Sequence, residues 1–282
     1  MSIPEIADDF YQIDDAIRTG YAWSYGPFEI WDNLGINEAV EMIKSCGEEL
    51  PSWITDMVDS GAKSFYVFED GKKKFYDINT KKYITVPSSE NHYILNAFRE
   101  NKQILKNPEC TVHDIGDGVM CIEFQTKGNS IGEGIAKGIN EAIDIAEKDG
   151  WNGIVIGNND KQFSVGANLM NMGMMAMQKN FDEIEKFLVG FQKILMRMRT
   201  CNVPVVSATH GFVLGGGLEV SIHCDAGIHA SESYIGLVEA GVGLIPGGGG
   251  TKEMAMRASD SFNSGDVKMP CLLYTSDAAD DP

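Results

Sequence analysis

From Cys110 onward the apolar residues change their period from one stretch to the next, and that alternation limits the folds open to the chain. Residues 118–126, GVMCIEFQT, have the make-up of a strand, and residues 132–150, GEGIAKGINEAIDIAEKDG, carry apolar residues at helical spacing up to a glycine stop. NGIVIGN at 152–158 is a short buried strand, and FDEIEKFLVGFQKILMRMRTC at 181–201 is a long helix. PVVSATHGFVL at 204–214 and CDAGIHA at 224–230 are strand-like again. Strands alternating with helices imply right-handed crossovers, so the expected fold class is α/β.

Three glycine-bearing stretches sit between these elements: KQFSVGANL at 161–169, GFVLGGGLEV at 211–220 and GLVEAGVGLIPGGGGT at 236–251. A strand that feeds a helix through Gly215, Gly216 and Gly217 presents backbone N–H groups that no Cβ shields. The first amides of a helix lack intrahelical acceptors and favour negative charge, so such a turn suits a phosphate or a forming oxyanion. A tight turn needed only for packing fits the glycines equally well. Glu219 and Glu239 lie twenty residues apart, one in a first helical turn and one on a loop. Each suits acid–base chemistry, and each has an ordinary alternative as a dipole partner or a solvated loop residue.

Composition removes several function classes. The 282 residues carry a net charge of −18, which opposes non-specific binding to nucleic acid or anionic membranes. An anionic ligand met by backbone dipoles and a few local cations remains possible. No apolar run reaches membrane-spanning length. Cys46, Cys110, Cys121, Cys201, Cys224 and Cys271 are scattered without a CxxC pair. With no signal peptide, they fit reduced thiols in a cytoplasmic protein. The five histidines show no metal-ligand spacing, so no metal is expected, and His210 and His223 have structural roles. Residues 247–252 end in Thr251-Lys252, the wrong order for a P-loop. A Ser-His hydrolase would draw on Ser164 and His210.

The front of the chain has another style. ADDFYQIDDAIRTGYA has helical spacing stopped by Gly20, and GPFEIWDNLGINEAVEMIKSCG gives a turn and two helices. SWITDMVDSG is a short amphipathic helix, and SFYVFEDGKKKFYDI is a hairpin turning at Glu69-Asp70-Gly71. Residues 92–108 have the spacing of an amphipathic connector helix stopped by Pro108.

Taken together, the three glycine-bearing stretches resemble the enoyl-CoA hydratase/isomerase family, the crotonase fold, over roughly residues 112–260. The family's FxxGADL-like segment matches Phe163, Ser164, Val165, Gly166, Ala167, Asn168 and Leu169. GxxxGGGxE matches Gly211 through Glu219, and PExxxGxxPGxGGT matches Val238 and Glu239 through Gly247, Gly249, Gly250 and Thr251. Asn168 stands where aspartate is frequent and Val238 where proline is common, departures that touch acyl or CoA fine-tuning only. The resemblance implies a crotonase-like ββα superhelix in which the amides of Ala167 and Gly216 hold a thioester oxygen. It implies Glu219 and Glu239 as the catalytic pair, with Phe163, Val165, Gly166, Asn168, Leu169, Gly215, Pro246 and Gly247 at the substrate. The activity implied is hydration of 2-enoyl-CoA to 3-hydroxyacyl-CoA in fatty-acid β-oxidation. An enoyl-CoA isomerase and an inactive CoA-binding fragment are the alternatives.

The front unit has a resemblance of its own. DDAIRTGYAWSYGPFEIWDNLG is similar to the C-terminal helical domain of 3-hydroxyacyl-CoA dehydrogenases. That implies residues 1–88 as a partial dehydrogenase domain, 89–109 as a connector helix and 110–270 as a hydratase domain truncated at its C-terminus. The implied parent is a bifunctional, homo-oligomeric, cytoplasmic enzyme. This chain then uses an acyl-CoA substrate and no cofactor, and NAD belongs to an upstream domain, since no strand–GxGxxG–helix unit is present. Residues 271–282, CLLYTSDAADDP, continue no pattern of the fold and resemble the translation of a sequencing-library transposon adapter. They are expected to be foreign.

Overall fold

The computed structural model describes residue 3 and residues 5–69, 71–87, 89, 92–98 and 102–263. The segment 271–282, expected to be foreign, lies outside the described residues. The chain divides into two compact units, Met1–Phe98 and Arg99–Pro282.

The first unit holds helices α1 (Phe10–Tyr21), α2 (Pro27–Leu34), α3 (Ile36–Ser45) and α4 (Ser52–Asp59). Its antiparallel sheet runs β1 (Tyr66–Glu69), β2 (Lys72–Asp77) and β3 (Lys82–Thr85) in that order. The hairpin expected at 69–71 is there, with Glu69 opposite Lys72. Gly20 does not stop α1; the helix runs on to Tyr21 and ends on Ala22, whose left-handed φ of 54° closes it instead. Phe10, Phe28, Phe65 and Phe75 are fully buried, and the Phe10 and Phe28 ring centroids lie 5.0 Å apart. Such pairs contribute roughly 0.5–1.5 kcal/mol beyond the area they bury. Beneath the rings, buried Asp14 accepts from Phe28 N at 2.9 Å, Glu29 N at 3.2 Å and Tyr66 Oη at 2.7 Å. It thereby serves the first amides of α2, whose own cap residue is a glycine. Asp32 accepts from the amides of Phe65 and Tyr66, and burial pushes its carboxyl up to about 6.

Residues 92–108 do not form the connector helix that their spacing suggests. Leu95–Phe98 is a single 3₁₀ turn and Gln103–Lys106 is a strand, β4, antiparallel to β5 (Cys110–Asp114). Asn107 decides this: its Oδ1 accepts from the amides of Glu109 and Cys110 at 2.8 and 3.0 Å. That turn folds β4 back onto β5, and ladder hydrogen bonds replace helical ones.

In the second unit each turn of the chain lays down one strand of a large sheet, a short extended segment, and helix. After β5 come β6 (Val119–Phe124) and α5 (Glu133–Asp149), then β7 (Gly153–Ile156), α6 (Leu169–Met177) and α7 (Phe181–Thr200). Next come β8 (Val205–Thr209), β9 (Phe212–Leu214), α8 (Gly216–Ile222), β10 (Ala226–His229), β11 (Tyr234–Gly236) and α9 (Gly250–Asn263). The large sheet has the order β10-β8-β7-β6-β5-β4, parallel from β10 to β6 and antiparallel beyond. The extended segments pair among themselves. β11 lies parallel to β9, Val213 of β9 bridges Ser164, and Ile131 bridges Ala167. The stretch 204–214 is therefore two strands in two sheets, broken at Gly211, and not the single strand its apolar run suggests.

Helix α5 turns Ile135, Ile139, Ala142, Ile143 and Ala146 onto Val112, Ile122 and Ile154 of the sheet. Each isoleucine buried there contributes roughly 1.5–3 kcal/mol. Helix α8 is buried along its whole length, whereas α6, apolar but for Asn171, has no buried residue.

Candidate active site

Residues 163–168 form a turn in which nearly every amide is spent. Phe163 N donates to His210 O at 2.9 Å, Ser164 N to Phe212 O at 3.0 Å, Val165 N to Gly128 O at 3.1 Å and Asn168 N to Ile131 O at 3.1 Å. Gly166 N donates to Ser164 Oγ at 3.1 Å. Ala167 N donates to no acceptor among the described residues. The sequence permits this because Gly166 adopts φ +93°, and a Cβ there would stand 2.8 Å from Leu214 O and 3.1 Å from Gly216 N.

The second turn lies against the first. Gly215 N donates to Gly236 O at 2.9 Å, and Gly215 takes φ +50°, which swings the chain into α8. Gly216 heads that helix and its amide is also unspent among the described residues. A Cβ placed on Gly216 would meet Ala167 N at 3.4 Å. The turns expected from sequence to carry the amides of Ala167 and Gly216 are thus neighbours in space.

Both glutamates reach this place. Glu219, on the first turn of α8, is 2 % exposed, and its Oε1 accepts from Gly250 N at 2.9 Å. Gly248 lies against its other oxygen so closely that a side chain there would collide with it. Burial raises the Glu219 carboxyl above the ordinary range; the Gly250 amide lowers it in part, and the charge of Glu239 raises it again. Glu239 opens a 3₁₀ turn, Glu239–Val242, rather than lying on an open loop. Burial raises its carboxyl as well. Its Oε1 comes within 3.0 Å of where a Gly215 Cβ would be, and its buried Oε2 has no hydrogen-bond partner among the described residues.

The remaining expected site residues divide. Val165 and Leu169 are exposed at the mouth of the first turn, at 39 % and 46 %. Asn168 caps α6, its side chain accepting from Asn171 N at 3.3 Å. Phe163 is fully buried and packs on Phe124, so its side chain supports the turn from below and does not face a ligand. Gly247 binds the loop to α7, its carbonyl accepting from Gln192 Nε2 at 2.6 Å, and Pro246 beside it is half-buried. A cavity of about 900 Å³ opens between α5, α6 and α7, walled by Ile131, Met172, Met175, Phe187, Phe191 and Ile194. Ile131 and Phe191 come within 3.6 and 3.7 Å of the Gly216 Cβ position, so the cavity begins at the paired amides. The sequence offered no sign of this wall, because the methionine-rich stretch 169–177 has no polar face to mark it as a helix.

Ser164 and His210 do not form a hydrolase pair. The serine hydroxyl is buried and donates to Asn129 O at 2.7 Å, while His210 Nε2 bonds to Asp160 O. His223 is buried, and its Nδ1–H donates to Glu219 O at 2.6 Å, steadying the end of α8. Among the described residues no group of three His, Cys, Asp or Glu could hold a metal ion, and no helix is long and apolar enough to cross a membrane. Five described cysteines are free thiols.

The profile of the family described as Enoyl-CoA hydratase/isomerase matches residues 114–277, more than half of the chain and including the first residues of the segment 271–282. A Bacillus subtilis protein named "Probable 3-hydroxyacyl-CoA dehydrogenase" is 40% identical over 265 residues, covering 92% of this chain and 33% of that protein. The chain thus spans about a third of the length of such relatives. A short-chain-enoyl-CoA hydratase of Clostridium acetobutylicum is 36% identical over 102 residues, covering 36% of this chain and 38% of that protein. An enoyl-CoA hydratase structure from Bacillus anthracis aligns with a TM-score of 0.50 at 23% identity, covering 60% of this chain and 63% of that one, a likeness of fold.

Proposed function

The chain belongs to the enoyl-CoA hydratase/isomerase family, and from that premise we propose that it hydrates 2-enoyl-CoA thioesters to 3-hydroxyacyl-CoA in fatty-acid metabolism. The observation that carries the reading is the pair of unspent amides, Ala167 N and Gly216 N, with the buried carboxyl of Glu219 and the half-buried carboxyl of Glu239, both of raised pKa, beside them.

The thioester oxygen accepts from both amides, and the charge that moves onto it as an enolate forms is held by donors already in place. One such donor is worth roughly 2.7–4 kcal/mol. The ionised carboxyl of the Glu219–Glu239 pair takes a proton from a water whose oxygen bonds to Cβ. The π electrons move to Cα and the thioester oxygen, and the protonated carboxyl delivers a proton to Cα as the carbonyl reforms. Each acid–base role contributes about 10²–10⁴-fold. The cavity beyond Ile131 and Phe191 takes the acyl chain along its apolar wall of Met172, Met175 and Phe187.

The same reading assigns the first unit to the C-terminal domain of a 3-hydroxyacyl-CoA dehydrogenase. The parent is then a cytoplasmic, homo-oligomeric bifunctional enzyme whose NAD site lies upstream, and this chain itself uses no cofactor. The name and extent of the Bacillus subtilis relative support that assignment. The strongly acidic chain is a poor partner for nucleic acid.

The test is the enoyl absorbance of crotonyl-CoA incubated with the chain, followed by chromatography of the product. Loss of the band with formation of 3-hydroxybutyryl-CoA supports the proposal. Binding without turnover leaves a CoA-binding chain, and turnover of a 3-enoyl-CoA alone makes it an isomerase.

A further inference from the structure

Ser164 has no part in the proposed chemistry, yet its side chain touches both amide-bearing turns: Oγ accepts from Gly166 N, and Cβ and Oγ crowd the Cβ position of Gly217. We propose that Ser164 is the positioning residue that aims the Ala167 and Gly216 amides at a common point; the inference rests on the proposed hydratase reading. Its hydroxyl is fully buried. Oγ accepts from Gly166 N at 3.1 Å and donates to Asn129 O at 2.7 Å, a two-bond relay that turns the Gly166 peptide inward. With the Gly166 amide committed to Ser164, the next amide, that of Ala167, is the one left over.

The same residue holds the second turn through its backbone. Ser164 N donates to Phe212 O, and Leu214 N donates to Ser164 O, both at 3.0 Å, so Ser164 pairs with the strand that leads into Gly215 and Gly216. The helix start is pressed onto it. A Cβ at Gly217 would lie 2.7 Å from Ser164 Cβ and 3.0 Å from its Oγ. A larger residue at 164 would push the turns apart, and one without a hydroxyl would free the Gly166 peptide.

The far end of the relay is held as firmly. Asn129 is buried in the left-handed region at φ 51°, a conformation that is unfavourable unless its surroundings enforce it. Its Nδ2 donates to Gln162 O at 2.9 Å, and its backbone N to Thr126 O at 2.9 Å. Bonds in such a chain polarise one another, so the loss of the central hydroxyl leaves two buried groups, Gly166 N and Asn129 O, without their partner.

The experiment compares wild type with Ser164→Ala and Ser164→Cys in the whole chain. Crotonyl-CoA hydration gives kcat and KM, circular dichroism gives the folded fraction, and the infrared thioester carbonyl band is read for bound butyryl-CoA, which is not turned over. Misaimed donors affect the transition state more than binding. Ser164→Ala should therefore lower kcat per folded chain by about ten- to a hundredfold, with KM within about twofold. The carbonyl band should lose part of its wild-type shift to lower frequency. Ser164→Cys, which keeps a weak donor, should fall between the two, and it carries the test if the alanine variant does not fold. An unchanged carbonyl shift with an activity loss that only follows the folded fraction makes Ser164 merely structural and overturns the inference. Wild-type protein that neither shifts the carbonyl nor hydrates crotonyl-CoA overturns the hydratase reading instead, and this inference with it.

Discussion

Replacing Glu219 by glutamine should separate catalysis from stability. Glutamine keeps an oxygen for the Gly250 amide, which donates to Glu219 Oε1 at 2.9 Å, so the loop at 248–250 stays in place. It removes the carboxyl from one of the two acid–base roles. Losing one such role costs about 10²–10⁴-fold, or roughly 2.7–5.5 kcal/mol of transition-state stabilisation. Stability should move the other way. Burial raises the folded-state pKa of Glu219 above its ordinary 4.5, so the folded chain holds that proton more tightly than the unfolded one. The ionised group therefore costs stability as pH rises through its folded pKa, and the neutral amide does not. The variant should lose crotonyl-CoA turnover while its melting temperature at neutral pH stays the same or rises. Near-wild-type turnover, or a fall in activity that merely follows a fall in melting temperature, refutes this account of Glu219.

Glu239→Gln should also lower turnover by about 10²–10⁴-fold. Because the charge of Glu239 raises Glu219, the variant should shift the Glu219 titration to lower pH in carbon-13 NMR; an unmoved titration refutes the coupling. Gly216→Pro deletes one amide donor and should cost kcat roughly 10²–10³-fold, with the circular dichroism spectrum unchanged because proline suits the first position of a helix. A folded, active variant excludes Gly216 N from the site. In the first unit, Asp32 is raised to about 6, so its share of stability declines as pH rises from about 4 to 6. Asp32→Asn removes that decline, and melting curves across this range should show a smaller loss with rising pH than wild type does.

The residues proposed to carry the chemistry were legible because they are of types that chains use sparingly at turns. Gly166, Gly215 and Gly216 mark places where backbone must approach backbone, and Glu219 and Glu239 follow at fixed offsets. The long elements, α5 and α7, were legible because a buried face repeats for many turns. What remained hidden depended on partners distant in sequence. Asn107 turned the expected 92–108 helix into a strand by accepting from the amides of Glu109 and Cys110 where β5 begins. The run 204–214 divides between two sheets because each half finds its own pairing strand. Phe163 matched the family pattern but faces Phe124, a contact made only when β6 and the turn come together. Ser164 carried no signal beyond its place in the motif, since a hydroxyl gains its role here from Asn129 and Gly166.

The central claim is that one thioester oxygen is held by two amides. A crystal structure of the chain with bound acetoacetyl-CoA tests it without relying on turnover. The account predicts the thioester oxygen within about 2.7–3.1 Å of both Ala167 N and Gly216 N, the acyl group entering the cavity past Ile131 and Phe191, and both glutamates beside Cα and Cβ. A thioester oxygen bound away from either amide contradicts it.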